Sequence, residues 1–254
     1  MSKAKQLRQA KILAEINESP SLRIAELAKR HKVSTETIRR DLDELTNSGH
    51  LNRTYGGAVR AESSEPSVTE RHRLFVAERE RIAKETMSHI KTGRIFMIGS
   101  GATTLHVARR MAIDMKNITV ITHSFGVATV LSINPSIRVI VIPGEYEPTE
   151  GSVIGALAVS FLNQYFVDYA ILGASGISAE GPSDALIDFG AVYSAMANRA
   201  SETLIVADHS KFGMTYPARY TSWRQVNKLI TDQQPLDSLR DALQKSHVDV
   251  YITT

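Results

Sequence analysis

The chain has 254 residues, of which 43% are hydrophobic and 22% are charged, and its formal net charge is +3. This composition excludes a disordered chain, and the length suffices for one large domain or for a small and a medium domain. The absence of cysteine excludes a disulfide framework, a thiolate zinc site and a cysteine nucleophile. No apolar run approaches the roughly 20 residues that cross a bilayer. The basic, polar start does not resemble a secretion signal, so we expect a cytoplasmic protein without membrane contact.

The charges are divided unevenly along the chain. Residues 1–60 hold 12 Lys/Arg against 7 Asp/Glu, a balance of +5, whereas residues 61–254 hold 18 against 20, a balance of −2. A basic small segment joined to a slightly acidic large one favours a nucleic-acid-binding arm on a second domain. A charged, solvated surface would give the same count, so charge alone leaves both interpretations open.

The first 60 residues predict three short helices followed by a hairpin. The expected elements are a helix over 5–17, a second helix capped by Ser21 and ending near His31, a third helix over 34–48 capped by Ser34, and a hairpin around Gly56-Gly57. This order is the layout of a winged helix-turn-helix.

The third helix has an apolar face and a basic, hydroxyl-bearing face. Ile38, Leu42 and Leu45 cluster on one side, and Glu36 and Arg40 point the opposite way. Cationic and hydroxyl side chains in the first half of the outer face suit a helix that enters the major groove by its N-terminal end. The candidate DNA-contacting residues are Ser34, Thr35, Glu36, Thr37, Arg39, Arg40, Arg53 and Tyr55. A generic three-helix bundle with exposed arginines is the alternative.

Residues 61–74 are polar and are expected to form a linker between a domain over 1–60 and a domain over 75–254. Beyond it, short apolar runs alternate with helical patterns, which predicts an α/β domain with a mostly parallel sheet covered on both faces. The expected strands are 94–98, 118–122, 138–142, 169–173, 203–207, 228–231 and 248–253, and the expected helices are 71–90, 105–111, 125–131, 152–165 and 189–200.

Polar loops follow five of these predicted strands. Ligands bind outside the carboxyl ends of strands in open parallel sheets, and the loop from Ser100 to Thr104 could hold an anion at a helix N-terminus. Lys211 could supply a positive charge for a phosphate. A plain tight turn, a surface lysine and a structural His123 are the alternatives for the single residues.

Both halves resemble the DeoR family of bacterial transcriptional regulators. The N-terminal match spans roughly residues 6–60 and rests on IAELA at 24–28, VSTETIRRDL at 33–42, and RTYGGA at 53–58. The C-terminal match spans roughly 75–232 and rests on SGATT at 100–104, GSVIG at 151–155, LGASGIS at 172–178, and ADHSKFG at 207–213. The resemblance implies a winged helix-turn-helix joined to a sensor domain similar to ribose-5-phosphate isomerase and CoA-transferase folds.

The resemblance also implies a function and a site. It implies a repressor of a sugar or opine catabolic operon, released from operator DNA by a phosphorylated sugar and acting as a homo-dimer or tetramer on repeated half-sites. The implied effector-binding residues are Ser100, Gly101, Ala102, Thr103, Thr104, Thr122, His123, Ser124, Gly144, Glu145, Tyr146, Gly173, Ser175, Asp208 and Lys211. We expect no catalytic residue, metal or cofactor.

The sequence departs from the family pattern in three segments near the implied site. Gly99 stands where the family commonly has aspartate, and Pro143-Gly144 and Glu147 stand where it commonly has a glycine pair and an arginine. Phe189, beside Asp188, stands where it commonly has glutamate. These departures indicate an unusual effector rather than a common ketose phosphate such as fructose 1-phosphate.

Two other functions are consistent with the same residues. A sugar-phosphate isomerase with a DNA-binding arm needs a carboxylate near its substrate, and Glu145, Asp184, Asp188 and Asp208 are candidates. A regulator controlled by a protein partner is the second alternative.

Overall fold

The computed structural model describes two compact units, Met1–Glu65 and Pro66–Thr254. Its description covers the backbone of residues 5, 8, 9, 11, 12, 15, 21–47, 51–54, 57–60, 65, 66, 68–235 and 237–253, and their side chains except those of residues 21–23, 46, 47, 51–54, 57–60 and 69. We describe each unit by itself.

The first unit contains the second and third predicted helices and the hairpin of a winged helix-turn-helix, whereas most of the helix expected over 5–17 lies outside the described residues. Its elements are β1 (Ser21–Arg23), α1 (Ile24–His31), α2 (Thr35–Asn47), β2 (Leu51–Thr54) and β3 (Gly57–Arg60). The strands form an antiparallel sheet in the order β1-β3-β2. Its core contains the three apolar residues predicted for α2; the members are Ile12, Ile24, Leu27, Ala28, Ile38, Leu42 and Leu45.

The predicted role of Ser21 as a helix cap is wrong. Ser21 begins β1 and pairs with Val59 of the hairpin, so the second helix starts at Ile24. Three residues are too few to show an alternating pattern, and their conformation is set by pairing with a strand more than thirty residues away.

Within the described residues, the second unit contains seven α-helices, α3 to α9, and twelve strands, β4 to β15. In chain order they are α3 (Val68–Arg71), α4 (Val76–Ser88), β4 (Ile95–Ile98), α5 (Ala102–Asp114), β5 (Ile118–Thr122), α6 (Phe125–Leu131), β6 (Ile137–Val141), β7 (Glu145–Glu147), β8 (Ser152–Ile154), α7 (Ala156–Leu162), β9 (Val167–Leu172), β10 (Gly176–Ser178), β11 (Gly181–Asp184), α8 (Ile187–Asn198), β12 (Ala200–Val206), β13 (Ala218–Arg219), β14 (Lys228–Thr231), α9 (Asp237–Lys245) and β15 (Asp249–Ile252).

Seven of these strands form one parallel sheet in the order β15-β14-β12-β9-β4-β5-β6. Successive residues of a strand point to opposite faces, and each face has its own core. Ile98 and Ile171 pack with residues of α4, α5 and α6, whereas Met97 and Leu172 pack with residues of α7, α8 and α9. The predicted α/β sheet with helices on both faces is therefore confirmed.

Two predicted helices differ from the observed ones. The helix expected over 152–165 is wrong in its first turn, because Ser152–Ile154 forms β8 against β7 and the helix begins only after Gly155, whose φ is +95°. The helix expected over 71–90 begins only at Val76, as α4, after Phe75 at φ +52°. The short helix α3 lies within the segment 61–74 that was expected to be a linker. The small antiparallel strands β10, β11 and β13 were not predicted. No described helix has both the length and the apolar character that a membrane span requires.

Candidate DNA-contacting helix and ligand site

Helix α2 presents its arginines to solvent. The side chains of Arg40 and Arg39 are 78% and 55% exposed, and each lies near the carboxylate of Glu36, at 3.7 and 3.6 Å. Contacts this long and this exposed hold an arginine only weakly, so both guanidinium groups can be redirected to a new partner. The first half of the helix therefore offers two cations on one surface.

Ser34 caps this helix. Its Oγ accepts a hydrogen bond from the backbone N–H of Thr37 at 3.1 Å and lies 2.9 Å from the hydroxyl of Thr37. The opposite face is fixed by Asp41, which is buried and accepts a hydrogen bond from Nε of Arg8 at 2.6 Å. The cap and the ion pair set the start and the rotation of the helix. Two other predicted DNA contacts, the side chain of Arg53 and Tyr55, lie outside the described residues.

In the second unit, the loop after β4 leads into the N-terminus of α5. Gly101 has φ +129°, a conformation that favours glycine, and the first turn of α5 contains Ala102, Thr103 and Thr104. The N–H groups in the first turn of a helix have no partner within the helix and attract anions. Thr104 donates from Oγ1 to the carbonyl oxygen of Gly101 at 3.0 Å, which braces the turn.

Ser100 is held from two sides. Its backbone N–H donates to Nε2 of His123 at 2.8 Å, and its carbonyl oxygen accepts a hydrogen bond from the hydroxyl of Tyr193 at 2.7 Å. Because Nε2 accepts, His123 carries its proton on Nδ1 and donates to the carbonyl oxygen of Val153 at 3.0 Å. Burial lowers the pKa of His123 to about 4, against the smaller opposing effect of the bond to Val153. Both ring nitrogens are thus engaged with the backbone, and His123 positions the loop.

Thr122 and Ser124 stabilise the loop that follows β5. The buried hydroxyl of Thr122 donates to the carbonyl oxygen of Ile98 at 2.7 Å and accepts from the backbone N–H of Ser124 at 3.1 Å. Ser124 caps α6 through the backbone N–H of Val127 at 3.3 Å. This loop is therefore tied to the strand that precedes the Ser100 loop.

The loop after β9 lies against the turn formed by Ser100 to Thr104. At Gly173 a Cβ atom would lie 3.7 Å from the carbonyl oxygen of Ser100 and 3.7 Å from Thr104. Ser175 is buried beside Asp184, with 3.5 Å between its Oγ and Oδ2 of the aspartate. The hydroxyl of Tyr220 donates to the carbonyl oxygen of Gly173 at 2.5 Å. Hydroxyl and carboxylate groups therefore border the loop from Ser100 to Thr104.

The loop after β6 is more open. Gly144 has φ +153°, and a Cβ atom there would lie 2.5 Å from the carbonyl oxygen of Ile154, so only glycine fits. Glu145 is exposed, and Tyr146 is 59% exposed with its ring edge-on to Phe125. Two side chains with polar groups are thus accessible on this side of the sheet edge.

Asp208 follows β12 and is completely buried. Its Oδ2 accepts a hydrogen bond from Nε of Arg79 at 3.0 Å and lies 3.0 Å from Nη2 of the same guanidinium group, and its Oδ1 accepts from the backbone N–H of Ser210 at 3.2 Å. The bond to Ser210 caps the short 3-10 turn that contains Lys211, which is half-buried. Asp208 therefore positions the turn, and Lys211 is the cation at this strand end.

Gly99, which stands where the family commonly has aspartate, lies against the ring of Tyr193. A Cβ atom on Gly99 would lie 2.8 Å from a ring carbon of Tyr193 and 3.3 Å from Leu172, so the tyrosine ring occupies the space of a larger residue. Burial, and next the nearby carboxylate of Asp184, keep the pKa of Tyr193 well above its ordinary value, so it remains a neutral donor to Ser100.

Sequence reasoning missed Arg79, Tyr193 and Tyr220 as residues that support this site. A signal existed for Arg79, because it shares a helical face with Ile82, Ala83 and Thr86, all of which are buried. Nothing in the sequence singles out the two tyrosines, because a tyrosine in an apolar segment is typical of a hydrophobic core.

Comparison with known proteins identifies both units. The DeoR C-terminal sensor domain matches residues 75–233, and the DeoR-like helix-turn-helix domain matches residues 8–64. The transcriptional repressor CsqR of Escherichia coli K12 is 32% identical, covering 96% of this chain and 94% of its own length. The glycerol-3-phosphate regulon repressor of the same organism is 31% identical, covering 89% and 90%. The transcriptional repressor AccR of Agrobacterium fabrum is 31% identical, covering 95% and 96%.

Among solved structures, ribose 5-phosphate isomerase A from Methanocaldococcus jannaschii aligns with 53% of each chain at 19% identity and a TM-score of 0.38. The curated relatives are named as repressors, which supports a regulator and not the isomerase alternative. The two family matches and the full-length relatives agree with the resemblance inferred from the sequence. The chain therefore belongs to the DeoR family of transcriptional regulators.

Proposed function

We propose that this regulator represses a sugar or opine catabolic operon and leaves its operator when a phosphorylated sugar or sugar derivative binds at the sheet edge. The observation that carries the sensor half is the braced turn from Ser100 to Thr104 at the N-terminus of α5. The name of one Escherichia coli relative, a glycerol-3-phosphate regulon repressor, supports a phosphorylated effector.

For DNA binding, α2 would enter the major groove by its N-terminal half. The exposed guanidinium groups of Arg39 and Arg40 suit guanine edges or phosphates, and Thr35 and Thr37 suit phosphates near the helix N-terminus. Arg53 and Tyr55 of the wing would follow the backbone. A homo-dimer or tetramer would place two such helices on repeated half-sites.

For effector binding, the phosphate would bind the first turn of α5 and the ammonium group of Lys211. Ser124, Glu145, Tyr146 and Ser175 would face the sugar. Thr122, His123 and Asp208 would shape the site without contacting the sugar through their side chains. The Thr122 hydroxyl both donates and accepts within the protein, both ring nitrogens of His123 are engaged, and the carboxylate of Asp208 is held by Arg79 and Ser210.

Release would follow from a two-state equilibrium. The unliganded oligomer would hold the spacing of recognition helices that the operator requires, and bound sugar phosphate would favour a second arrangement. Coupling of this kind is typically about 1–3 kcal/mol, or roughly 5- to 150-fold in affinity, and it acts equally in both directions.

Two single substitutions separate the halves of this proposal. Arg40→Ala should lower operator affinity roughly tenfold or more, because a base or phosphate contact is lost, and should leave thermal stabilisation by sugar phosphates unchanged. Lys211→Ala should bind operator normally and resist release. Fluorescence anisotropy with labelled operator, and thermal shift with a panel of sugar phosphates, measure the two properties.

Exposed residues elsewhere supply matched controls. Arg110→Ala removes an exposed arginine of α5, and Lys245→Ala removes an exposed lysine at the end of α9. Both should behave as wild type in both assays. Release of the Lys211→Ala variant at the wild-type effector concentration would show the phosphate assignment to be wrong.

A further inference from the structure

The segment Val68–Ser88, comprising α3 and α4, contains two buried arginines. It is the first helical structure after the boundary between the two units at Glu65. Arg71 is 8% exposed and Arg79 is 2% exposed. A buried guanidinium group is strongly destabilising unless a carboxylate and hydrogen bonds compensate it, so the partners of these two residues fix where the segment lies.

Arg79 fixes the segment to the loop that follows β12. Two of its nitrogens contact Oδ2 of Asp208 at 3.0 Å, and both side chains are almost completely buried. Asp208 in turn caps the 3-10 turn containing Lys211 through Ser210. The position of α4 is therefore coupled to the position of the proposed phosphate-binding lysine.

Arg71 fixes the segment to a second loop at the same sheet edge. Its guanidinium group forms an ion pair with Glu150, and its carbonyl oxygen accepts a hydrogen bond from Nη1 of Arg79. The carbonyl oxygen of Glu150 accepts a hydrogen bond from Oγ of Ser152, at the start of β8, at 3.1 Å. The next residues of β8 include Val153, whose carbonyl oxygen holds His123. Arg71 is thus linked through bonded neighbours to the residue that positions Ser100.

The two arginines therefore connect one chain segment to both sides of the proposed effector site. An anion bound beside Lys211 would repel the carboxylate of Asp208 and so disturb its ion pair with Arg79, and in a poorly solvated setting such effects are large. Coupling between sites is carried by hydrogen-bond and salt-bridge networks that have two discrete arrangements.

We propose that Arg71 and Arg79 are positioning residues that transmit effector binding from the sheet edge to the segment Val68–Ser88, which leads directly to the DNA-binding unit. The inference rests on the proposed function, and it adds the residues through which release is communicated. Neither arginine needs to contact the effector.

The test separates communication from binding and from folding. Variants Arg71→Gln, Glu150→Gln and their double combination form a mutant cycle, and Arg79→Met is compared with the charge-conserving Arg79→Lys. Arg81→Met is the control on the same helix, because its contact with Glu78 is 3.8 Å long and exposed. The probes are inorganic phosphate, glycerol 3-phosphate and ribose 5-phosphate. Operator affinity is measured with and without each probe, and probe affinity is measured by calorimetry.

We expect the Arg71 and Glu150 variants to bind operator and probe within about threefold of wild type, whereas the release factor falls from the typical 5- to 150-fold towards 1. Arg79→Met should also lose release while it keeps operator affinity, and its probe affinity should fall because Asp208 no longer holds the turn that contains Lys211. Arg79→Lys should recover part of the release factor, and Arg81→Met all of it. Trp223, the single tryptophan and a buried residue of the second unit, reports by fluorescence whether each variant is folded.

The outcomes are distinguishable. Full release in folded Arg71 and Arg79 variants would overturn this inference and leave the proposed function intact. Failure of every probe and of every compound in the sugar-phosphate panel to release wild type would overturn both. If Arg79→Met does not fold, the Arg71–Glu150 cycle decides, because those side chains remain 10% and 17% exposed and tolerate loss of charge better.

Discussion

His123 lies between two backbone groups, and its neutral form fits that place. Nε2 accepts from Ser100 and Nδ1 donates to Val153, so a second proton would set two N–H groups against each other. Burial, the main cause, lowers its pKa from 6.5 to about 4. The folded chain therefore binds this proton less readily than the unfolded chain.

The sign of the pH dependence follows from that shift. Stability contributed by neutral His123 is fully present above pH 6.5 and is lost as the pH falls towards 4, by up to roughly 3 kcal/mol. We predict that the difference in unfolding free energy between wild type and His123→Gln shrinks between pH 7 and pH 5. Urea unfolding followed by Trp223 fluorescence measures it, and a difference that does not change with pH would contradict the assignment.

The ring of Tyr193 occupies the space that a side chain on Gly99 would need. A methyl group added at Gly99 should therefore cost more stability than one added at a glycine with open surroundings. Gly99→Ala should lower the free energy of unfolding by about 1–3 kcal/mol, because the new Cβ atom would lie 2.8 Å from the tyrosine ring. Gly126→Ala in α6 should be neutral or stabilising by up to about 1 kcal/mol, because its nearest atoms are 3.7 Å away. Equal effects in thermal unfolding would show that Tyr193 yields at no cost.

At single residues, sequence reasoning succeeded where one residue determines local geometry. Ser34 was predicted as a cap, and the alternative of a structural role for His123 was recognised. It missed the partner of Asp208, because Arg79 lies 129 positions earlier in the chain and the two meet only in the folded sheet.

Among the elements, α2 carries both an N-cap at Ser34 and the surface that we propose contacts DNA. Substitutions at Ser34 can separate the stability that the cap provides from the affinity for operator DNA. Ser34→Ala should destabilise the first unit by about 1 kcal/mol through loss of the cap. Ser34→Asp should keep that stability and still weaken operator binding, because the new carboxylate would face phosphates. Thermal unfolding and operator anisotropy distinguish them, and operator affinity unchanged in Ser34→Asp would place this end of the helix away from DNA.

The seven parallel strands were predictable because strands buried on both faces appear as continuous apolar runs. The short strands were not, since β1, β7, β8, β10, β11 and β13 have two to four residues each and form only by pairing with another strand, which is distant in the chain for β1 and β13 and nearby for the β7–β8 and β10–β11 pairs. Ser152–Ile154 illustrates the reason, because its apolar residues fit a helix as well as a strand. The pairing with β7 and the backbone conformation of Gly155 make it a strand.

Across the whole molecule, a basic N-terminal unit precedes a unit whose sheet edge we propose as an anion site. The net charge of +5 in residues 1–60 predicts operator affinity that falls steeply with salt, because bound phosphates release their counterions. Effector release, by contrast, depends on coupling between two states and must be reciprocal.

The central claim is tested most directly by fluorescence anisotropy on labelled DNA from upstream of the protein's own operon, at two salt concentrations, with and without a panel of sugar phosphates. The account predicts salt-sensitive, site-preferring binding that one phosphorylated sugar releases, and operator DNA should weaken binding of that compound by the same factor. Tight, specific binding that every sugar phosphate leaves unchanged would retain the DNA-binding unit and contradict the proposed sensor.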